Sequence, residues 1–164
     1  MGEILAPYRE HELVQALQRY PHHGQVTTYT HVSHVTEACY LMNKRWHLHA
    51  DEQVLVAAAF LHDFYLYDWH EKDATHRWHA FRHPTTACRN AVETFQIGTR
   101  EQRIIRTHMW PLVPYRVPTS REAWLLTIAD KYCAVKELIR DRRERWQSRQ
   151  QNCTQKSAKG RQRK

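Results

Sequence analysis

The chain is short of glycine, of paired cysteine and of long apolar runs. Four glycines and six prolines in 164 residues are too few for a collagen-like or low-complexity chain, so most of it is expected to fold. The cysteines Cys39, Cys88, Cys133 and Cys153 lie far apart and form no CxxC pair, which excludes a zinc knuckle and a dithiol redox motif. A reduced, cytoplasmic setting is expected, with the first three cysteines acting as small apolar core residues. No apolar stretch nears the roughly 18 to 20 residues of a membrane helix, and MGEILAPYRE holds no signal core. Neither a membrane partner nor a secretory leader is expected.

Balanced charge is missing in only one place. Of 25 Lys and Arg and 17 Asp and Glu, residues 140–164 hold ten bases and two acids, so residues 1–139 are neutral. The formal charge of +8 therefore belongs to an appendage. Residues 148–164 read as a basic, disordered tail, available for weak, salt-dependent polyanion contacts. The rest, 1–147, has the size of one domain.

Helical spacing accounts for nearly every apolar residue. Expected helices cover about 9–20, 28–48 (capped by Thr27 or Thr28), 52–69 (capped by Asp51), 84–96 (Pro84 in its first turn), 99–109 and 121–147 (capped by Ser120). On the last, Trp124, Leu125, Ile128, Cys133, Val135 and Leu138 are expected to face inward. No segment reads as a strand. The fold class is all-α, a compact single-domain bundle of about six helices.

Two acids stand where acids rarely survive. Val54 to Leu61 is an unbroken apolar run, followed at once by His62 and Asp63, and Asp130 interrupts the apolar run before Lys131. A buried carboxylate costs several kcal/mol unless it is paired. Lys131, Arg45 or Arg106 could supply a partner; so could a divalent cation held by His62, Asp63, Asp130 and a histidine from another helix. Thirteen histidines favour the cation.

His31, then His62–Asp63, then Asp130 on a late helix resembles the HD domain superfamily, metal-dependent phosphohydrolases of all-α fold, over roughly residues 25–140. The stretches FLHDFYLYDWHEKD and HMWPL are similar to those of small stand-alone bacterial members. The resemblance implies that these four residues ligate a divalent metal. Branches with two metals add two histidines between the doublet and the last Asp. Here His83 and His108 match, and Asp63 would bridge the ions; otherwise those two histidines line the pocket and bind substrate oxygens. His34 competes with His31 as first ligand. His22, His23, His47, His49, His70, His76 and His79 are expected on loops or surfaces, with His70 and His79 best placed to face the site. PTT follows His83 in place of Gly-Tyr-Pro, which argues against a cyclic dinucleotide substrate.

The function so implied is metal-assisted hydrolysis of a phosphate ester, of a nucleotide or another small phosphorylated metabolite. Asp63 would orient the attacking water or act as general base. Lys131, Arg82, Lys72 and Arg106 are candidates to neutralise the phosphate, and Phe64, Tyr65, Trp69 and Trp78 to stack on a base. The metal could be Mn, Fe, Co, Mg, Ni or Zn, one ion or two. The same ligands would serve a di-iron oxygenase or a non-catalytic nucleotide sensor. Trp46 and Trp110 are candidates for a dimer contact.

Overall fold

The central helix is the one whose sequence is apolar on every side. In the computed structural model, which describes residues 1–69 and 78–161, α4 (Glu52–Leu61) buries each residue from Val54 to Leu61. Such a helix is stable only when wrapped by others. The wrapping comes from α3 (Thr28–Arg45), α5 (His79–Phe95), α6 (Thr99–Thr107) and α7 (Arg121–Arg161), with α1 (Gly2–Arg9) and α2 (Glu12–Ala16) at one end. α3 buries His31, Val32, Val35 and Cys39 at helical spacing, facing α4 and α7.

Several boundaries differ from expectation for identifiable reasons. The helix expected over 9–20 shortens to α2 plus a single 3-10 turn, Leu17–Arg19. Pro21 then opens a small antiparallel hairpin, β1 (Pro21–His23) with β2 (Val26–Thr27), where no strand was expected. Gly24 makes its turn with a φ of 61°, and a Cβ there would run into the Asp141 side chain, so the hairpin sits directly on α7. α4 ends at Leu61, not near 69. Pro84 lies inside α5 rather than at its start. The extra first turn is held from outside, because the His79 ring stacks on Trp69 and shares a hydrogen bond with the Tyr67 hydroxyl.

α7 departs most. Its helical backbone runs on to Arg161, through the stretch expected to be disordered from 148; Arg, Glu, Gln and Lys are good helix formers, and no glycine intervenes before Gly160. Leu125 and Cys133 face the core as expected, but Trp124, Ile128, Val135 and Leu138 are exposed. The inward face of this helix is instead completed by Leu126, Ala129, Asp130 and Glu137. No helix among the described residues is long and apolar enough to cross a membrane.

α4 is fixed at its start by Asp51, whose carboxylate accepts the N–H of Gln53 and Val54 at 3.1 and 3.3 Å. Arg100 donates to the same carboxylate at 2.8 Å. Removing this cap with Asp51→Ala should cost about 1 kcal/mol. The Val54 N–H, aided by Arg100, holds the Asp51 carboxyl below its ordinary 3.8 against the opposing effect of burial. The stabilisation is therefore complete above that value and lost as pH falls through the lowered one. Thermal melts at neutral and acid pH check this: the gap between wild type and variant should close in acid.

Candidate metal centre

Four histidines from four helices meet because each is held from behind. His62 follows the last residue of α4 and donates Nδ1–H to the Ala59 carbonyl at 2.7 Å. His108 follows α6 and donates Nδ1–H to Ile105 at 2.7 Å. His83, one turn into α5, donates to His79 at 3.1 Å. A carbonyl can only accept, so in all three rings Nδ1 carries a proton, which makes Nε2 the lone-pair nitrogen of the neutral ring. His31, in the first turn of α3, has its Nδ1 2.9 Å from Glu137 Oε2 on α7. A ring nitrogen backed by a carbonyl or a carboxylate is the usual support behind a metal-bound imidazole.

The Nε2 atoms converge on Asp63 and Asp130. Asp63 Oδ1 lies 3.3 Å from His83 Nε2 and 3.9 Å from His108 Nε2, and its Oδ2 lies 3.5 Å from His62 Nε2. Asp130 Oδ1 is 3.2 Å from His31 Nε2 and 3.9 Å from His62 Nε2. Four overlapping groups, His22/His31/Glu137, His31/His62/Asp63, His62/His108/Asp130 and Asp63/His83/His108, each keep their donor atoms within 4.8 Å of one another. Asp63, Asp130 and the rings of His31, His62, His83 and His108 are buried.

This set fits a divalent cation and is poorly satisfied without one. His62 Nε2 and Asp63 Oδ1 are buried with no hydrogen bond among the described residues, which costs about 1–3 kcal/mol for each such group. His83 Nε2 and His108 Nε2 face each other at 2.9 Å, lone pair against lone pair. Burial holds both rings below the ordinary histidine value, so they are not imidazolium at neutral pH. Burial alone would raise the Asp63 and Asp130 carboxyls, but surrounding imidazoles and, for Asp130, the His31 hydrogen bond and Lys131 hold both below the carboxylate range. Nitrogen and oxygen donors in this mixture suit Zn, Mn, Fe, Co or Ni.

His31 behaves differently from its neighbours. Burial lowers its pKa, but hydrogen bonds to Asp130 and Glu137 outweigh that and raise it to about 10. His34, its competitor, is half exposed and bonds Glu137 Oε1 at 2.9 Å from the outer side; only His31 points into the cluster.

The cluster opens into a cavity of about 530 Å3 walled by His22, Trp69, His79, Met109, Lys131, Val135 and Leu138. Lys131 donates to Asp130 Oδ2 at 2.9 Å and to the His108 carbonyl at 2.8 Å. Other candidates lie elsewhere. Arg82 is exposed on a separate depression with Phe81 and Arg116, because it follows the outer face of α5 while His83 follows the inner. Arg106 turns its guanidinium to Cys88 Sγ at 3.2 Å, and Arg45 borders the groove between α3 and α7. Lys72, His70 and His76 fall outside the described residues. Phe64 is core, Tyr65 is buried against Thr28, and Trp78 is exposed away from the cavity. Of the aromatic candidates, Trp69 alone walls it. Trp110 packs edge-on against Trp124, and Trp46 is exposed.

Two participants escaped the sequence reading. His22, on the hairpin, stacks on His31 with ring centroids 3.9 Å apart and places Nδ1 4.0 Å from Asp63 Oδ2; nothing in a two-strand hairpin's pattern announces this. Glu137 stands seven residues after Asp130, two turns along one helix face, a spacing that would have disclosed it.

Residues 28–135 match the HD domain family, and the chain belongs to it. Neither the curated proteins nor the solved structures contain a match to it. Members of this family are typically metal-dependent hydrolases, and the buried histidine and aspartate groups here could hold such a metal.

The opposed shifts of His31 and His108 generate a prediction for metal-free protein. His108 and His83 give stability that is present above the ordinary 6.5 and lost as pH falls. His31 gives stability that is complete below 6.5 and lost as pH rises through about 10. In urea melts of chelator-treated protein across about pH 5 to 9, His108→Gln should move the stability optimum to lower pH and His31→Gln to higher pH. Shifts in the same direction contradict the assignment.

Proposed function

We propose that this HD-domain protein hydrolyses the phosphate ester of a small metabolite at a two-metal site formed by His31, His62, Asp63, His83, His108 and Asp130. The observation that carries the reading is the junction between the buried donor cluster and the cavity: lone pairs and carboxylates lie on its floor, and the Lys131 ammonium stands on its wall. Divalent ions bound there supply Lewis acidity toward a phosphoryl oxygen and lower the pKa of water.

The chain's own residues supply the rest. The Nδ1 hydrogen bonds of His62, His83 and His108 fix the direction of each ring, so no reorganisation is needed when the site is loaded. Asp63, shared by both halves of the cluster with Oδ1 toward His83 and His108 and Oδ2 toward His62, would help hold the ions and so fix where the attacking water sits. Lys131 donates to a phosphoryl oxygen as negative charge grows there. The water oxygen forms the new P–O bond, the ester P–O bond breaks, and the water proton ends on the leaving alcohol. Trp69 offers the substrate's organic portion an apolar wall. Buried unpaired Cys39, Cys88 and Cys133 support a reducing, cytoplasmic setting for the enzyme.

Metal analysis of protein purified without chelator, followed by a panel of phosphomonoesters and phosphodiesters, tests the proposal. Wild type should carry at least one equivalent of a divalent transition metal and turn over at least one ester. Asp63→Ala and Asp130→Ala should lose both metal and turnover. Lys131→Met should keep its metal and lose roughly 10- to 1,000-fold in kcat/KM, the range for removing one charge-stabilising donor. Metal-loaded protein that hydrolyses nothing, or that consumes oxygen with iron bound, contradicts it.

A further inference from the structure

α7 carries a second apolar face, opposite the one it gives to the core. Ile128, Tyr132, Val135, Ile139 and Trp146 are between 47% and 63% exposed. At about 100° per residue these five fall within a stripe roughly 60° wide; Ile128 to Ile139 cover about 17 Å of it at 1.5 Å per residue, and Trp146 lies two turns further on, beyond the charged residues 140–145. Four exposed apolar side chains on successive turns of one face, with a tryptophan on the same line, mark a contact surface rather than scatter.

Charge along the same stretch is sorted by face. The acids between 128 and 149, Asp130, Glu137, Asp141 and Glu144, all fall on the side away from the stripe. Asp130 and Glu137 are consumed by His31, while Asp141 and Glu144 pair with Arg145 and Arg140 at 2.8 and 2.9 Å. The bases Lys136, Arg142, Arg143 and Arg149 flank or interrupt the stripe. A second copy of this chain would bring those bases against their own kind. A nucleic acid would match the charge and leave the apolar band facing water. An anionic bilayer surface matches both, since Ile, Val, Tyr and Trp enter the headgroup boundary while Lys and Arg stems reach the phosphates beside them.

We propose that the outer face of α7 docks on anionic membrane surfaces, lying in the interface without spanning it. The occupant is a bilayer surface rich in acidic phospholipid, recognised by apolar insertion and charge together. Neither contribution suffices alone: single weak anchors give marginal binding, and two signals give a stable one.

Vesicle flotation of the full chain tests this, using phosphatidylcholine alone and phosphatidylcholine with about 30% phosphatidylglycerol. Wild type should float only with the acidic vesicles, and raising salt from about 0.1 to 0.5 M should weaken the binding severalfold. Ile139→Glu and Trp146→Glu should each lower binding at least about tenfold, with circular dichroism and melting temperature unchanged because both sites are exposed. Three results overturn the proposal. One is wild type that stays in solution with acidic vesicles. Another is Ile139→Glu and Trp146→Glu variants that bind as wild type does, which leaves only nonspecific charge attraction. The third is wild type that is dimeric and indifferent to vesicles while Ile139→Glu is monomeric, which assigns the face to a second copy.

Discussion

Three backbone carbonyls decide the chemistry of this protein. Ala59, His79 and Ile105 each accept Nδ1–H from a histidine at a helix end or first turn, and that choice of tautomer turns three Nε2 lone pairs inward. Once the lone pairs are buried around Asp63, the interior holds donors without acceptors' protons, and a cation is the economical way to satisfy them. Glu137 holds His31 from the opposite side, 2.9 Å from its Nδ1. The donors' orientation comes from main-chain geometry, which is stiffer than any surface side chain could be.

The helical framework serves that arrangement. α4 can be apolar all round because α3, α5, α6 and α7 surround it, and its C-terminal end delivers His62 and Asp63 to within 3.9 Å of His83, His108 and Asp130. His108 arrives at the end of α6 and Asp130 from the inner face of α7. The hairpin closes the assembly from outside, with Gly24 against Asp141 and His22 over His31. Lys131 sits next to Asp130 in sequence but a third of the way around the helix, and that rotation takes it from the buried floor to the cavity wall.

Much of this was legible in the sequence, because buried charge in an apolar run is a strong local signal. Asp63 after Val54–Leu61 and Asp130 within its helix needed no long-range information, and helix spacing placed His31, His62, His83 and His108 on separate elements. Where the reading failed, the missing knowledge was tertiary. Arg82 and Arg106 sit beside or near the cluster residues His83 and His108 in sequence yet project from the outer faces of α5 and α6. His22 reaches the cluster only because the hairpin folds back onto α7. The two faces of α7 both carry apolar residues, so periodicity alone assigned Trp124, Ile128, Val135 and Leu138 to the core, when Trp124 and Ile128 face outward and Val135 and Leu138 wall the cavity. Backbone contacts such as those of Ala59 and Ile105 leave no trace in residue identity at all.

The central claim concerns which ring nitrogen bears the proton, and long-range 1H–15N correlation spectra of the histidine side chains read that directly. In metal-free protein near neutral pH, His62, His83 and His108 should each show a protonated Nδ1 and an unprotonated, pyridine-like Nε2. Adding zinc should shift those Nε2 resonances and leave Nδ1–H in place. Rings protonated on Nε2, or a spectrum indifferent to zinc, would contradict the account.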